Sequence, residues 1–516
     1  MKRILTAITM VLALGAQAQQ QTNTLLESTF WQGKPEVEAV KAEIAKGADP
    51  SQLNANAFDP VVLAINASAP NATVKYLIDQ KGNDVSKLTH DGRIYLHWAA
   101  YRGNTEIMEY VIGKGSKLSF VDSHGATPLT FAAGAGVTNT AAYDLLASKG
   151  VDLKKEVNSE GANVLLLAIS NDKDLKLTDY FVSKGLDIKS VDKAGNNAFN
   201  YAARGGNVEQ MKALVKRGVT VPATAMILAA QSGGARRGGP AVPETVADPL
   251  AIYQFLDGAG AKANAVNKTG QNALHYIVRK PNQLAVINYF LAKGADINLA
   301  DEDGNTPFII AAASSRDKEL IDFLASKVKN INQANKEGLT ALTMAARSNT
   351  PEMITLLLNK GADAKVLDTK GNNLAYYLID AYRPPVAGRG GMQAPAGPGP
   401  EDVLATKLQL LKDKGLNITA PQAGGNTLFH VAVLKNNVDL LKRIQEMGVD
   451  VNAKNKEGIT PLHKAAMIAK DDVLLKYLLS IGAKKEVGTS FKETAFDLAT
   501  ENEALTKKQV SVTFLK

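Results

Sequence analysis

One glycine returns along this chain at a nearly fixed interval. It stands at Gly92, Gly125, Gly161 and Gly195, then at Gly270, Gly304, Gly338 and Gly371, then at Gly425 and Gly458, and most of the steps are 33 or 34 residues. A unit of that length cannot bury an apolar face alone. It must stack on copies of itself, which makes the chain a quasi-one-dimensional array. The length agrees, because 516 residues exceed what one hydrophobic core holds. With 45% hydrophobic and 21% charged residues the chain has a folded protein's composition. Aromatics are only 6%, which favours short, closely packed helices over a β-sandwich.

The segments behind the glycines also match. Gly125-Ala-Thr-Pro-Leu-Thr-Phe-Ala-Ala133 aligns with Gly304-Asn-Thr-Pro-Phe-Ile-Ile-Ala-Ala312 and with Gly458-Ile-Thr-Pro-Leu-His-Lys-Ala-Ala466. Downstream comes Leu-Leu, then Gly-Ala/Val-Asp, as in Leu357 to Asp363 and Leu145 to Asp152. An Asp or Asn before the glycine (Asp122, Asp192, Asp301, Asn335, Asp368, Asn455) opens a tight turn, and the glycine accepts a positive φ. Thr then caps a helix whose first position is Pro, where a missing N–H costs nothing. The paired alanines let neighbouring units approach. A second helix carries larger residues and stops at Lys-Gly or Arg-Gly, the glycine ending it in a left-handed conformation.

This pattern resembles the ankyrin repeat, whose T-P-L-H-x-A-A signature and period it reproduces over nearly the whole chain. The resemblance implies an all-α solenoid of about fourteen helix–turn–helix units with β-hairpin-like turns between them. Residues 1–18 read as a signal peptide: Lys2 and Arg3, an apolar run from Ile4 to Leu14, then Ala16-Gln17-Ala18. Residues 19–55 form a degenerate N-terminal capping repeat, 56–489 the array, and 490–516 a C-terminal capping repeat and tail. Gly/Pro-rich insertions, expected to be flexible loops, interrupt the array at about 231–248 and 383–401. No other apolar run is long enough for a membrane span, and with no cysteine there is neither disulfide nor thiol chemistry.

The formal charge of +8 raises the question of nucleic acid. Many cations have local duties, however. Lys46, Lys81, Lys114, Lys149, Lys184, Arg217, Lys293, Lys360 and Lys414 each precede a capping glycine, where they offset the helix C-terminal partial charge. Lys193, Lys268, Lys336 and Lys456 follow the turn Asp or Asn and are expected at the hairpin tips. The face built from hairpins and first helices is the expected contact surface. There Tyr101, Arg102, Arg204, Arg279, Lys280 and Arg347 depart from small or apolar residues, and with the four tip lysines they are the candidate partner-binding residues.

Nothing points to catalysis. His97, His275, His430 and His463 occupy the fourth place of the T-P-L-H motif, a place the resemblance makes structural; His90 and His124 lie in turns without a second ligand at metal-like spacing. No nucleophile elbow, H-E-x-x-H or P-loop occurs. The sequence therefore predicts a non-enzymatic, monomeric protein-binding scaffold without cofactor or metal, exported to the periplasm or beyond. Its partners are one or more proteins, not nucleic acid. The alternative is a secreted effector that binds host proteins.

Overall fold

The computed structural model describes residues 23–231, 248–383 and 402–516. The signal-peptide segment and all but the ends of the two insertions lie outside the described residues. Those residues hold 28 α-helices, which pair into the fourteen helix–turn–helix units the resemblance implies. The first pair is Ser28–Gln32 and Val37–Ala45, the last Ala495–Glu501 and Glu503–Lys507. The chain divides into two compact units, Met1–Thr220 and Val221–Lys516.

One repeat shows why the motif folds as it does. Asp301 Oδ1 accepts the backbone N–H groups of Asp303 and Asn305 at 3.1 and 2.8 Å, closing the turn. The Thr306 hydroxyl accepts from Ile309 N at 3.3 Å and starts Pro307–Ser314. Ala311 and Ala312 of that helix are fully buried between first helices. Leu320, Ile321 and Leu324 of Lys318–Lys327 close the core from the other side. Three hairpins pair their arms by a single antiparallel bridge, at Val157–Asn163, Val191–Asn197 and Ala334–Thr340, and the described residues contain no longer strand.

Neighbouring turns are joined tip to tip. In the first unit Ser123 N donates to Asp91 O and Lys193 N to Glu160 O. In the second, Glu302, Lys336, Thr369 and Lys456 donate to Thr269, Asp303, Glu337 and Gly424. These are backbone bonds, so the tip residue's identity is left free to vary.

Eight of the nine expected C-terminal cations cap their second helices. Lys81 does not: Asn71–Ile78 ends earlier, with Asp79 as its cap. The vacated place is used. Lys114 of the next repeat reaches Asp79 at 2.7 Å, and the same backward pairing recurs in Lys184–Asp144, Arg217–Asp179, Lys293–Asp257 and Lys360–Asp322. Val510 to Lys516, which the sequence leaves unassigned, makes a single 3-10 turn, Thr513–Leu515, with Leu515 buried.

Candidate functional site

A first helix begins at its hairpin and ends at the loop to the second helix, so each unit offers hairpin arms on one side and first-helix ends on the other. In the first unit the sequence-predicted residues are partly engaged already. Tyr101 stacks on Phe131 with centroids 5.3 Å apart, Arg102 donates to the Ser68 hydroxyl at 2.7 Å, and Arg204 lies 5.4 Å over Tyr201. Lys193, exposed at its tip, donates to Ser159 O at 2.7 Å. The hairpin arms carry a feature the sequence reasoning missed. Leu88, Val121, Val157 and Val191, each just before a turn residue, are exposed by 55, 54, 44 and 57%. One exposed apolar residue thus recurs in four successive hairpins. The signal was present as an apolar residue recurring ahead of the turn.

In the second unit Lys268, Lys336 and Lys456 are exposed at turn tips, and Arg279 and Arg347 are exposed at first-helix ends. Lys280 is half-buried, and burial pushes its pKa down to about 8. The structure adds Arg316, Arg383 and Lys470 to that end of the repeats. A groove of about 230 Å³ lies between Leu404, Leu408, Ile418 and Met447 of the second-helix side, bridged by an Arg443–Asp402 pair. None of the sequence-predicted residues lines it.

The histidines serve the frame. Nε2–H of His97, His430 and His463 donates to Ala126, Ile459 and Val487 carbonyls in the next hairpin, at 3.0, 2.9 and 2.8 Å. His275 bonds Asn272 of its own repeat. Burial above all lowers the pKa of all four. The two turn histidines are brought together as the sequence did not suggest: His90 and His124 Nε2 lie 3.5 and 3.3 Å from Asp91 Oδ2. Arg93 Nη1 sits 3.0 Å from that same oxygen and supplies the countercharge a cation would bring. Against its own desolvation, Asp91 is held below the usual carboxylate range by His90, Arg93 and His124. Among the described residues no three His, Asp or Glu are arranged to hold a metal ion.

The sequence model described as Ankyrin repeats (3 copies) matches residues 31–122, 96–192, 247–333, 274–368 and 408–510, well over half of the chain. The chain belongs to the ankyrin-repeat family. Its repeats are 39% identical over 93 residues to protein phosphatase 1 regulatory subunit 12A of Mus musculus, covering 16% of this chain and 9% of that protein. They are 31% identical over 186 residues to palmitoyltransferase AKR1 of Lachancea kluyveri, covering 34% and 24%. The ankyrin chain thus spans less than a quarter of the length of either relative. The solved ankyrin-repeat domain of human ASB11 aligns at 20% identity and a TM-score of 0.36, over 46% of this chain and 98% of its own. Ankyrin repeats are in general a non-enzymatic scaffold for binding proteins. No helix among the described residues is long and apolar enough to cross a membrane.

Proposed function

We propose that this chain is an exported, non-enzymatic scaffold that holds a protein partner on the hairpin and first-helix side of its ankyrin repeats, in the periplasm. The observation that carries this reading is the division of labour within each repeat. Turn carboxylates, capping threonines, paired alanines and the buried histidines are consumed by the frame, whereas the arm residues Leu88, Val121, Val157 and Val191 and the tip lysines stand out in solvent. A constant frame with variable exposed positions is how repeat proteins specify partners. Relatives that carry such repeats include a phosphatase regulatory subunit and a human protein named for SH3 and multiple ankyrin repeat domains, consistent with a binding role. The periplasmic location rests on the N-terminal Lys2-Arg3, apolar run and Ala16-Gln17-Ala18 pattern. A secreted effector that binds host proteins is the second reading, since the same N-terminal pattern serves it.

Affinity capture with the chain from Gln19 onward, from periplasmic extract of its own source, tests the proposal. One stoichiometric protein retained at moderate salt is the expected result. An empty capture, followed by retention of a protein from host extract, would turn the reading to the effector.

A further inference from the structure

The first helix of a repeat runs about eight residues at ~1.5 Å each, so its end lies about 12 Å from the hairpin, on the opposite rim. In the second unit that rim carries a cation in four successive repeats and again at Lys470, while in the repeat between them Lys435 is paired with Asp380. Arg279 and Lys280 follow Leu274–Ile277, Arg316 follows Pro307–Ser314, Arg347 lies in the last turn of Ala341–Ser348, Arg383 follows Leu374–Asp380, and Lys470 follows Pro461–Ile468. All but the half-buried Lys280 are exposed. The acids of the same loops are engaged elsewhere. Asp317 caps Leu320 N at 3.0 Å, Asp471 accepts from Val473 N at 3.2 Å, Asp380 pairs with Lys435, and Asp472 with Lys476. Among the described residues no carboxylate forms an ion pair with any of the six cations. Behind the row lies Lys407, buried, its Nζ 3.1 Å from Ala346 O. Burial, then the Arg316 guanidinium, pushes its pKa down. The cations from Arg279 to Arg383 thus stand on successive first-helix ends without an ion-pair partner among the described residues, whereas Lys470 has Asp471 and Asp472 beside it.

We infer that this rim binds an extended acidic polypeptide segment, one carboxylate per repeat, along the four successive repeats from Arg279 to Arg383. The inference rests on the scaffold reading and names the chemistry of its partner. Spacing selects the form of the segment. Stacked helices lie ~10 Å apart, and a polyproline II chain advances ~9.3 Å in its three-residue turn. Acids at every third residue thus fall on one side, in step with the repeats. An α-helix with acids seven apart has a similar pitch, but a straight rod cannot follow the twist that accumulates along a solenoid. A nucleic-acid strand, with a phosphate every ~3.4 Å of duplex, would leave most of its charge unmatched by one cation per layer.

The test is fluorescence anisotropy of labelled (Glu-Pro-Pro)6 with the purified chain at low and moderate salt. The peptide is expected to bind more tightly than one of equal composition with its glutamates in a block. The triple variant Arg279→Glu, Arg316→Glu, Arg347→Glu should lose at least about tenfold in affinity, as expected for three exposed pairs. A milder Arg→Gln triple should lose less, and Lys327→Glu with Lys442→Glu, exposed on the second helices, should change little. Equal binding of the two peptides, or an unchanged triple variant with an unchanged melting temperature, overturns the inference. So does tighter, row-dependent binding of a single-stranded oligonucleotide or of phosphatidylglycerol vesicles. If the triple variant still captures the periplasmic client, the scaffold reading stands and the acidic-segment inference alone falls.

Discussion

Lys114 Nζ lies 2.7 Å from Asp79 Oδ1, a carboxylate of the preceding repeat. Tyr110 donates to the same group at 2.6 Å, and Lys114 lies 5.0 Å from the centre of the Tyr110 ring. Asp144 is held in the same way by Tyr180 and Lys184. One turn of helix separates the tyrosine from the lysine, so both side chains meet on one face and grip the neighbour together. The second helices thus have their own inter-repeat tie, separate from the packed alanines of the first.

These ties titrate in acid. Lys184 first, then Tyr180, holds the Asp144 carboxyl below its usual pKa, and Lys293 does the same for Asp257. A depressed folded pKa contributes stability that is fully present above the unfolded value near 3.8 and is lost as pH falls through the folded one. The double variant Asp144→Asn, Asp257→Asn should therefore flatten the fall of the urea midpoint below about pH 4 and shift it little at pH 7, since exposed pairs are weak there. An acid limb as steep as the parent's would deny the ties that role.

The histidines act in a higher window. In His463, Nδ1 accepts from Thr460 N at 3.1 Å while Nε2–H donates to Val487 O. That is the pattern of a neutral ring, and a second proton would face a donor. Burial above all lowers its pKa from 6.5, against the bond to Val487. The unfolded chain then binds the proton first, so the contribution is complete above about pH 6.5 and is lost as pH falls below it. His97, His275 and His430 add in the same direction. The melting temperature should drop between pH 7.5 and 5, and His430→Gln with His463→Gln should lessen the slope while lowering the starting value. A flat profile over that range would mean that these rings do not govern it.

Much of this was legible in the sequence because each repeat reuses one register. Gly338 and Gly371 announce the turn and Thr306 and Thr460 the helix start, and the resemblance makes the His of T-P-L-H structural, with three of the four bonding the next hairpin. The Tyr–Asp ties were not legible. Tyr110 and Asp79 are 31 residues apart but Tyr180 and Asp144 are 36, so loop length scrambles the register, and an exposed Asp carries no local signal. The cationic rim was seen at Arg279, Lys280 and Arg347 but not at Arg316, Arg383 or Lys470. Of the six only Arg347 lies within its helix; the other five follow theirs, where helical periodicity no longer marks a face.

Buried amides close the ends of the first helices, and they can be told from a buried cation by what their removal costs. Asn349 Nδ2 donates to Ala312 O and Ser315 O of the preceding repeat at 2.9 and 2.7 Å. Asn349→Ala orphans two buried acceptors and should cost about 2–4 kcal/mol. Lys407 makes a single such bond, to Ala346 O, and holds a charge that burial disfavours. Lys407→Met removes that desolvation with the bond and should change stability by less than about 1 kcal/mol in either direction. Urea unfolding of the two variants checks the contrast, and a larger loss in Lys407→Met would contradict it.

The repeat glycines differ in what surrounds them. Gly338 has φ +82°, and a Cβ there would meet Thr369 N at 2.7 Å and Asp368 Cα at 2.8 Å. Thr369 N is the donor that joins this tip to the next, through Glu337 O. Gly371 has a similar φ of +89°, yet a Cβ would meet nothing within 4 Å. Gly371→Ala therefore carries only the cost of a left-handed residue with a side chain, about 1–2 kcal/mol. Gly338→Ala adds displacement of the neighbouring backbone and loss of the tip bond, and should cost about 1 kcal/mol more. Hydrogen exchange separates the two: the Thr369 amide should lose protection in Gly338→Ala and keep it in Gly371→Ala. Equal protection in both would show that the tips yield without breaking their ladder.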